Sequence, residues 1–187
     1  MNYTLSQVPE RTEKPRNVGY TMVMDKGLSI REVEDMLETG GTYIDIVKLG
    51  WATSYVTPNL KEKLAVYKAA NIPVYLGGTL FEAFVVRDQL EDYVRVLDQF
   101  GLEYAEVSDG SIELDHDLKC SYIEKLAKHV TVLSEVGSKD AAKIIPPYKW
   151  IEQMQTELEA GAWKVIGEAR EAGNVGLFRD SGEVRQG

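Results

Sequence analysis

A single globular domain with a substantial core is expected from 187 residues of which 44% are hydrophobic and 27% charged. The 30 acidic and 21 basic residues give a net charge of -9, which repels nucleic-acid backbones and anionic membranes and argues against both as partners. No apolar run approaches the roughly 20 residues that span a bilayer, Met1 to Pro15 is polar, and the lone Cys120 cannot form an internal disulfide, so a cytoplasmic protein is expected.

Residues 1–18 read as an N-terminal arm whose basic segment, Arg11 to Arg16, packs across the floor of a domain formed by residues 19–187. A short apolar run, a polar or glycine-rich turn and an amphipathic stretch then recur about every 30 residues. The runs are Tyr20 to Met24, Tyr43 to Val47, Val74 to Leu76, Tyr104 to Val107, Thr131 to Leu133 and Trp163 to Ile166. Ser29-Ile30-Arg31-Glu32 matches a capping box that opens a helix from about Ile30 to Thr39. A long turn with Trp51 and Ser54 precedes a second helix marked by Leu60, Leu64 and Tyr67. Gly77-Gly78 ends the third strand, and Thr79-Leu80-Phe81-Glu82 is a second capping-box match. The glycine pair either allows close approach of a ligand at a helix N-terminus or simply makes a tight turn. A helix from about Asp115 to His129 follows the fourth strand, and Pro146-Pro147 opens one whose core face carries Ile151, Met154 and Leu158 and which Gly161 closes.

Alternating strands and helices of this length predict βα units feeding a parallel sheet. A doubly wound sheet usually shows a G-x-G-x-x-G loop after its first strand, and here that turn reads Asp25-Lys26-Gly27-Leu28-Ser29. The expected fold is therefore a (β/α)8 barrel of the TIM type with about six of its eight units in this chain, since a closed barrel takes about 250 residues. Unpaired barrel edges would favour a homo-oligomer.

In such a barrel Asp25, Lys48, Glu106, Asp109, Glu135, Lys139, Glu168 and Arg170 reach one rim at the C-terminal ends of the strands. Carboxylates gathered with few histidines suit a hard cation such as Mg2+, and the cations beside them suit an anionic substrate. Such a site could stabilise an enolate while a lysine moves a proton. Each charge could also be a solvated loop residue or half of an ion pair. Asp109 in particular could simply hold its turn, and His116 and His129 lie away from the rim on one helix.

The segments Tyr43 to Ser54, Gly77 to Glu82, Glu106 to Gly110, Ser134 to Asp140 and Glu168 to Glu171 resemble, in order and spacing, the motifs of the phosphosulfolactate synthase family. The likeness runs from about Arg11 to Arg185. It implies an eight-stranded barrel and a magnesium-dependent carbon-sulfur lyase that adds sulfite to phosphoenolpyruvate to give (2R)-3-phosphosulfolactate, an entry to coenzyme M biosynthesis or to sulfolactate. By that resemblance Lys139 is the catalytic acid and Glu135, Glu168 and Glu106 are the metal ligands. Lys48 and Arg170, with Gly77 and Gly78 at the close-approach turn, would hold the substrate. The family ordinarily continues through two further βα units, so this chain reads as C-terminally shortened. A non-catalytic barrel relative acting as an interaction or stress-associated protein is the alternative, since fold does not fix function.

Overall fold

The computed structural model describes residues 3–139, 145–168, 178–179 and 181–184. Six parallel strands lie side by side in chain order: β1 (Met22–Asp25), β2 (Ile46–Leu49), β3 (Val74–Leu76), β4 (Tyr104–Ser108), β5 (Thr131–Val136) and β6 (Lys164–Gly167). This singly wound order has no reversal point, so the doubly wound alternative is excluded.

Alternation along each strand divides the side chains between two cores. Val47, Leu49, Val74, Leu76, Ala105, Val107 and Val132 face outward and pack with Val33, Tyr67, Phe81, Tyr93, Leu97 and Ile123 of the helices. Ile46, Tyr75 and Leu133 face inward and pack with Tyr104 and Ile166. Side chains from five successive strands can meet on one side only if the sheet curls, and this inner layer is the filled interior of a barrel wall. The floor is plugged by aromatic rings: Tyr20, just before β1, meets Trp163, just before β6, edge to face at 5.4 Å between centroids. Residues of the N-terminal segment contact this end, with Arg16 2.5 Å from Asp45 and the Lys14 ammonium on the Ile44 carbonyl.

Helix α1 (Ile30–Gly40) carries the expected capping box, Ser29 and Glu32 each accepting from the other's backbone N–H. The turn after β2 contains an unexpected short helix, α2 (Thr53–Val56), before α3 (Leu60–Ala69). Between β3 and β4 there are two helices, α4 (Gly78–Val85) and α5 (Leu90–Phe100). The second capping box does not form. Helix α4 starts at Gly78, its N-cap Gly77 has no side chain to accept with, and Glu82 is turned into the protein and buried. Helix α6 (His116–Leu126) is shorter than expected and capped by the Asp115 carboxylate, which accepts from the N–H groups of Asp117 and Leu118.

Helix α7 (Pro147–Glu159) begins at the proline pair and ends before Gly161, whose φ is +111°. Its expected core face is corrected, because Ile151 and Leu158 are 58% and 47% exposed whereas Trp150 and Glu157 are buried. Trp150 finds room beside Gly137, where an added Cβ would lie 2.7 Å from the ring. Glu157 is drawn in by Lys119, 2.7 Å away. These two anchors, seven residues apart on one face, override the apolar period.

Candidate active site at the strand ends

Parity and register put Lys48, Glu106, Ser108 and Glu135 on the inner surface, above the apolar layer, with Glu168 one residue beyond β6. The Lys48 ammonium is 2.7 Å from Glu106 Oε1 and 3.3 Å from Glu135 Oε2. Burial favours its neutral form, but the two carboxylates outweigh this and hold Lys48 above its ordinary pKa. Glu106 is fully buried. Its carboxyl is pushed up by burial, with Lys48 opposing and Glu135 adding to the shift.

The glycine pair supports this arrangement. Gly78 N–H donates to Glu106 Oε1 at 2.7 Å. A Cβ on Gly78 would fall 2.2 Å from Ser108 Oγ and 2.6 Å from Glu106 Oε1, and one on Gly77 would fall 3.0 Å from the Leu49 carbonyl. Both positions therefore need glycine for close packing of α4 against β2 and β4.

Glu135 and Glu168 are neighbouring buried carboxyls that act on each other, which favours a proton on Glu168. Burial, the bond to Glu135 and its charge push Glu168 up to about 8. Burial would raise Glu135 too, but the proton from Glu168 and the charges of Lys48 and Lys139 bring it below the usual carboxylate range. Lys139 Nζ stands 3.7 Å from Glu135 Oε1 and 4.0 Å from Glu82 Oε1. Its backbone N–H donates to the Gly110 carbonyl at 3.0 Å.

Of the expected rim residues, Lys48, Glu106, Glu135, Lys139 and Glu168 converge. Asp25 does not. It points outward to the helix layer, 2.6 Å from Lys63 Nζ and 2.8 Å from the Tyr67 hydroxyl. Asp109 is turned to Lys119, 2.9 Å away, and Arg170 lies outside the described residues. Glu82 joins the site unexpectedly, 2% exposed and accepting from the Ser108 hydroxyl. Its capping-box spacing concealed it. The usable signal was a carboxylate one helical turn after the glycine pair, on the face that meets the sheet.

Among the described residues, Glu82 Oε2, Glu106 Oε2 and Glu135 Oε1 are buried carboxylate oxygens without a conventional N–H or hydroxyl donor. Buried unsatisfied oxygens are costly, and an all-oxygen set of this kind suits a hard cation. No three or more His, Cys, Asp or Glu side chains among the described residues are placed to hold a metal ion together. That is compatible with Mg2+, which typically takes one or two carboxylates and fills its shell with water and substrate oxygens. A separate cavity of about 510 Å3 opens at the opposite end of the strands, between α3 and α5, lined by Leu64, Ile72, Phe100 and Leu102. It has no contact with this chemistry.

The fold and site define a partial (β/α) barrel with a lysine and carboxylate cluster at the C-terminal rim. Residues 9–187 match the family model described as (2R)-phospho-3-sulfolactate synthase (ComA), and the chain belongs to that family. It is 40% identical over 187 residues to the phosphosulfolactate synthase of Bacillus subtilis, covering 99% of this chain and 74% of that protein. Identity is 36% over 184 residues to the enzyme of the same name from Methanothermobacter thermautotrophicus, covering 95% and 71%. The chain thus spans about 70% of the length of such relatives. In fold it is similar to a 3-hexulose-6-phosphate synthase, with TM-score 0.50, 19% identity and coverage of 80% of this chain and 65% of that one. The carboxyl transferase domain of Rhizobium etli pyruvate carboxylase aligns with TM-score 0.53 at 15% identity, over 79% of this chain and 26% of that chain. Among the described residues no helix is long and apolar enough to cross a membrane.

Proposed function

We propose that the chain is a phosphosulfolactate synthase, a lyase of the cytoplasm that joins sulfite to phosphoenolpyruvate to give (2R)-3-phosphosulfolactate. The observation that carries this reading is the placement of Lys139 beside Glu135 and Glu82 at the rim, in a chain of this family.

In the proposed reaction the sulfur lone pair of sulfite forms a bond to the methylene carbon of phosphoenolpyruvate. The electron pair of the carbon-carbon double bond moves toward the substrate carboxylate. The Lys139 ammonium then gives its proton to the carbon that carries the phosphate ester. Lys48, and Arg170 from outside the described residues, would attract the anionic groups of the substrates. Of Glu135, Glu168 and Glu106, one or two would hold Mg2+ directly and the rest through bound water, with Glu82 beside them. Bound there, Mg2+ would stabilise the negative charge that grows on the substrate carboxylate. The backbone turn at Gly77 and Gly78 holds Glu106 in place and would border the bound substrate. The non-catalytic alternative has no observation among the described residues in its favour.

Phosphorus NMR with phosphoenolpyruvate, sulfite and Mg2+ tests the reading. The expected result is a new phosphate-ester signal with this chain. Lys139→Ala is expected to give no product while phosphoenolpyruvate still binds. Absence of product with the unaltered chain, or full turnover by the variant, overturns it.

A further inference from the structure

Behind the rim, Lys119 of α6 is 1% exposed. A buried ammonium is tolerated only when its donors are satisfied. Lys119 has three N–H donors and three acceptors: Asp109 Oδ1 at 2.9 Å, Glu157 Oε1 at 2.7 Å and the Glu135 carbonyl at 2.6 Å. These come from the turn after β4, from α7 and from β5. Burial favours the neutral amine, but Glu157 and Asp109 outweigh it and keep the charge.

Two of these acceptors lead directly to the site. Asp109 adjoins Gly110, whose carbonyl accepts the Lys139 N–H at 3.0 Å. An added Cβ on Gly110 would lie 3.3 Å from Lys139 Cε and Nζ, so the lysine stem rests against this turn. The third acceptor is the backbone of Glu135 itself, whose side chain meets Lys48 and Lys139. One ammonium thus ties the turn after β4, against which Lys139 rests, to β5, which carries Glu135 and leads directly into Lys139.

We propose that Lys119 is a positioning residue, which fixes the spacing of Lys139 and Glu135 without touching substrate, and that the rate of the reaction proposed above depends on it. A shift of about 1 Å in reacting groups can cost on the order of 100-fold in rate. The competing view is that Lys119 only neutralises Glu157 in the core.

The two are separated by comparing Lys119→Met with the double variant Lys119→Met/Glu157→Gln, which removes both buried charges. The single variant is expected to melt at a lower temperature, and the double variant to recover much of that loss. If Lys119 positions the site, the double variant still shows kcat about 10- to 100-fold lower, with KM for phosphoenolpyruvate changed less than threefold. Wild-type kcat in a double variant of recovered stability overturns the proposal. A crystal structure of the double variant supplies a readout independent of turnover. The Lys139 Nζ to Glu135 Oε1 separation, 3.7 Å here, is expected to change by about 1 Å, and an unchanged separation overturns the proposal. Absence of turnover in the unaltered chain counts against the function proposed above and leaves this structural comparison standing.

Discussion

Lys48 on β2 and Glu106 on β4 form an ion pair of 2.7 Å across the intervening strand β3. Tyr75 on β3, in register with Lys48, faces the same inner surface and packs with Ile46 and Leu133. The curl of a barrel wall brings residues distant in sequence together on that surface.

Lys48→Met is expected to destabilise the protein by about 3–5 kcal/mol, because it leaves the buried Glu106 carboxylate without its cation. Adding Glu106→Gln removes the stranded charge and is expected to restore a large part of the loss. Urea denaturation of the wild type, the single variant and the double variant measures this. A single variant as stable as the wild type would show that the pair contributes nothing to the fold.

Asp25 gives a pH prediction that lies outside the rim. Burial raises its carboxyl, but Lys63, the N–H groups of Gly27 and Leu28 and the Tyr67 hydroxyl bring it below its ordinary value. The unfolded chain therefore binds a proton at Asp25 at a higher pH than the folded one does. This contribution to stability is complete above the ordinary aspartate pKa of about 3.9 and is lost as the pH falls through the lower folded value, with a slope of at most about 1.4 kcal/mol per pH unit. Asp25→Asn is expected to be less stable at neutral pH and to show a shallower acid limb below about pH 4. Denaturation midpoints of both proteins from pH 2 to 7 decide it, and parallel acid limbs would refute it.

The strand order and most of the rim were legible because each apolar run ends at the same sheet edge, which brings Lys48, Glu106, Glu135 and Glu168 together whatever the helices do. The residues misread are those whose direction is set by a distant partner. Asp25 ends its strand like Lys48 but faces the other way, because Lys63 and Tyr67 of α3 receive it. Glu82 matched a capping box yet turns to Ser108 on β4. Helix α7 showed an apolar period at Ile151, Met154 and Leu158, yet it is oriented by Glu157 on Lys119 and by Trp150 against Gly137. Local pattern cannot encode those choices. A charged residue interrupting a helix's core-facing side, as Lys63, Lys119 and Glu157 do, was the available hint.

Gly78→Ala and Gly110→Ala should differ sharply. At Gly78 the new methyl would meet Ser108 Oγ at 2.2 Å and Glu106 Oε1 at 2.6 Å, both in fully buried side chains with no room to retreat. At Gly110 it would meet Lys139 at 3.3 Å, and a flexible stem can yield by a few tenths of an ångström. Gly78→Ala is expected to lower kcat by about 100-fold and to lower the melting temperature. Gly110→Ala should fold normally and lose less than about tenfold. Steady-state kinetics with melting curves test the contrast, and equal effects would refute it.

In the function proposed above the rim takes Mg2+, and the proton held on Glu168 beside Glu135 would make that binding pH-dependent in a definite sense. Burial and the neighbouring Glu135 carboxylate disfavour ionisation of Glu168, which is pushed up to about 8. Glu168 is therefore mostly protonated at pH 7 and mostly ionised at pH 9. Mg2+ needs both as carboxylates, so binding at pH 7 should release close to one proton and binding at pH 9 almost none. Titration calorimetry in two buffers of different protonation enthalpy counts the released protons. Glu168→Gln is expected to abolish the release and to weaken binding, since it removes both the titrating group and a ligand. Saturable Mg2+ binding at pH 7 without proton release would show that the cation is held by other oxygens, with Glu82 and Glu106 the first to substitute.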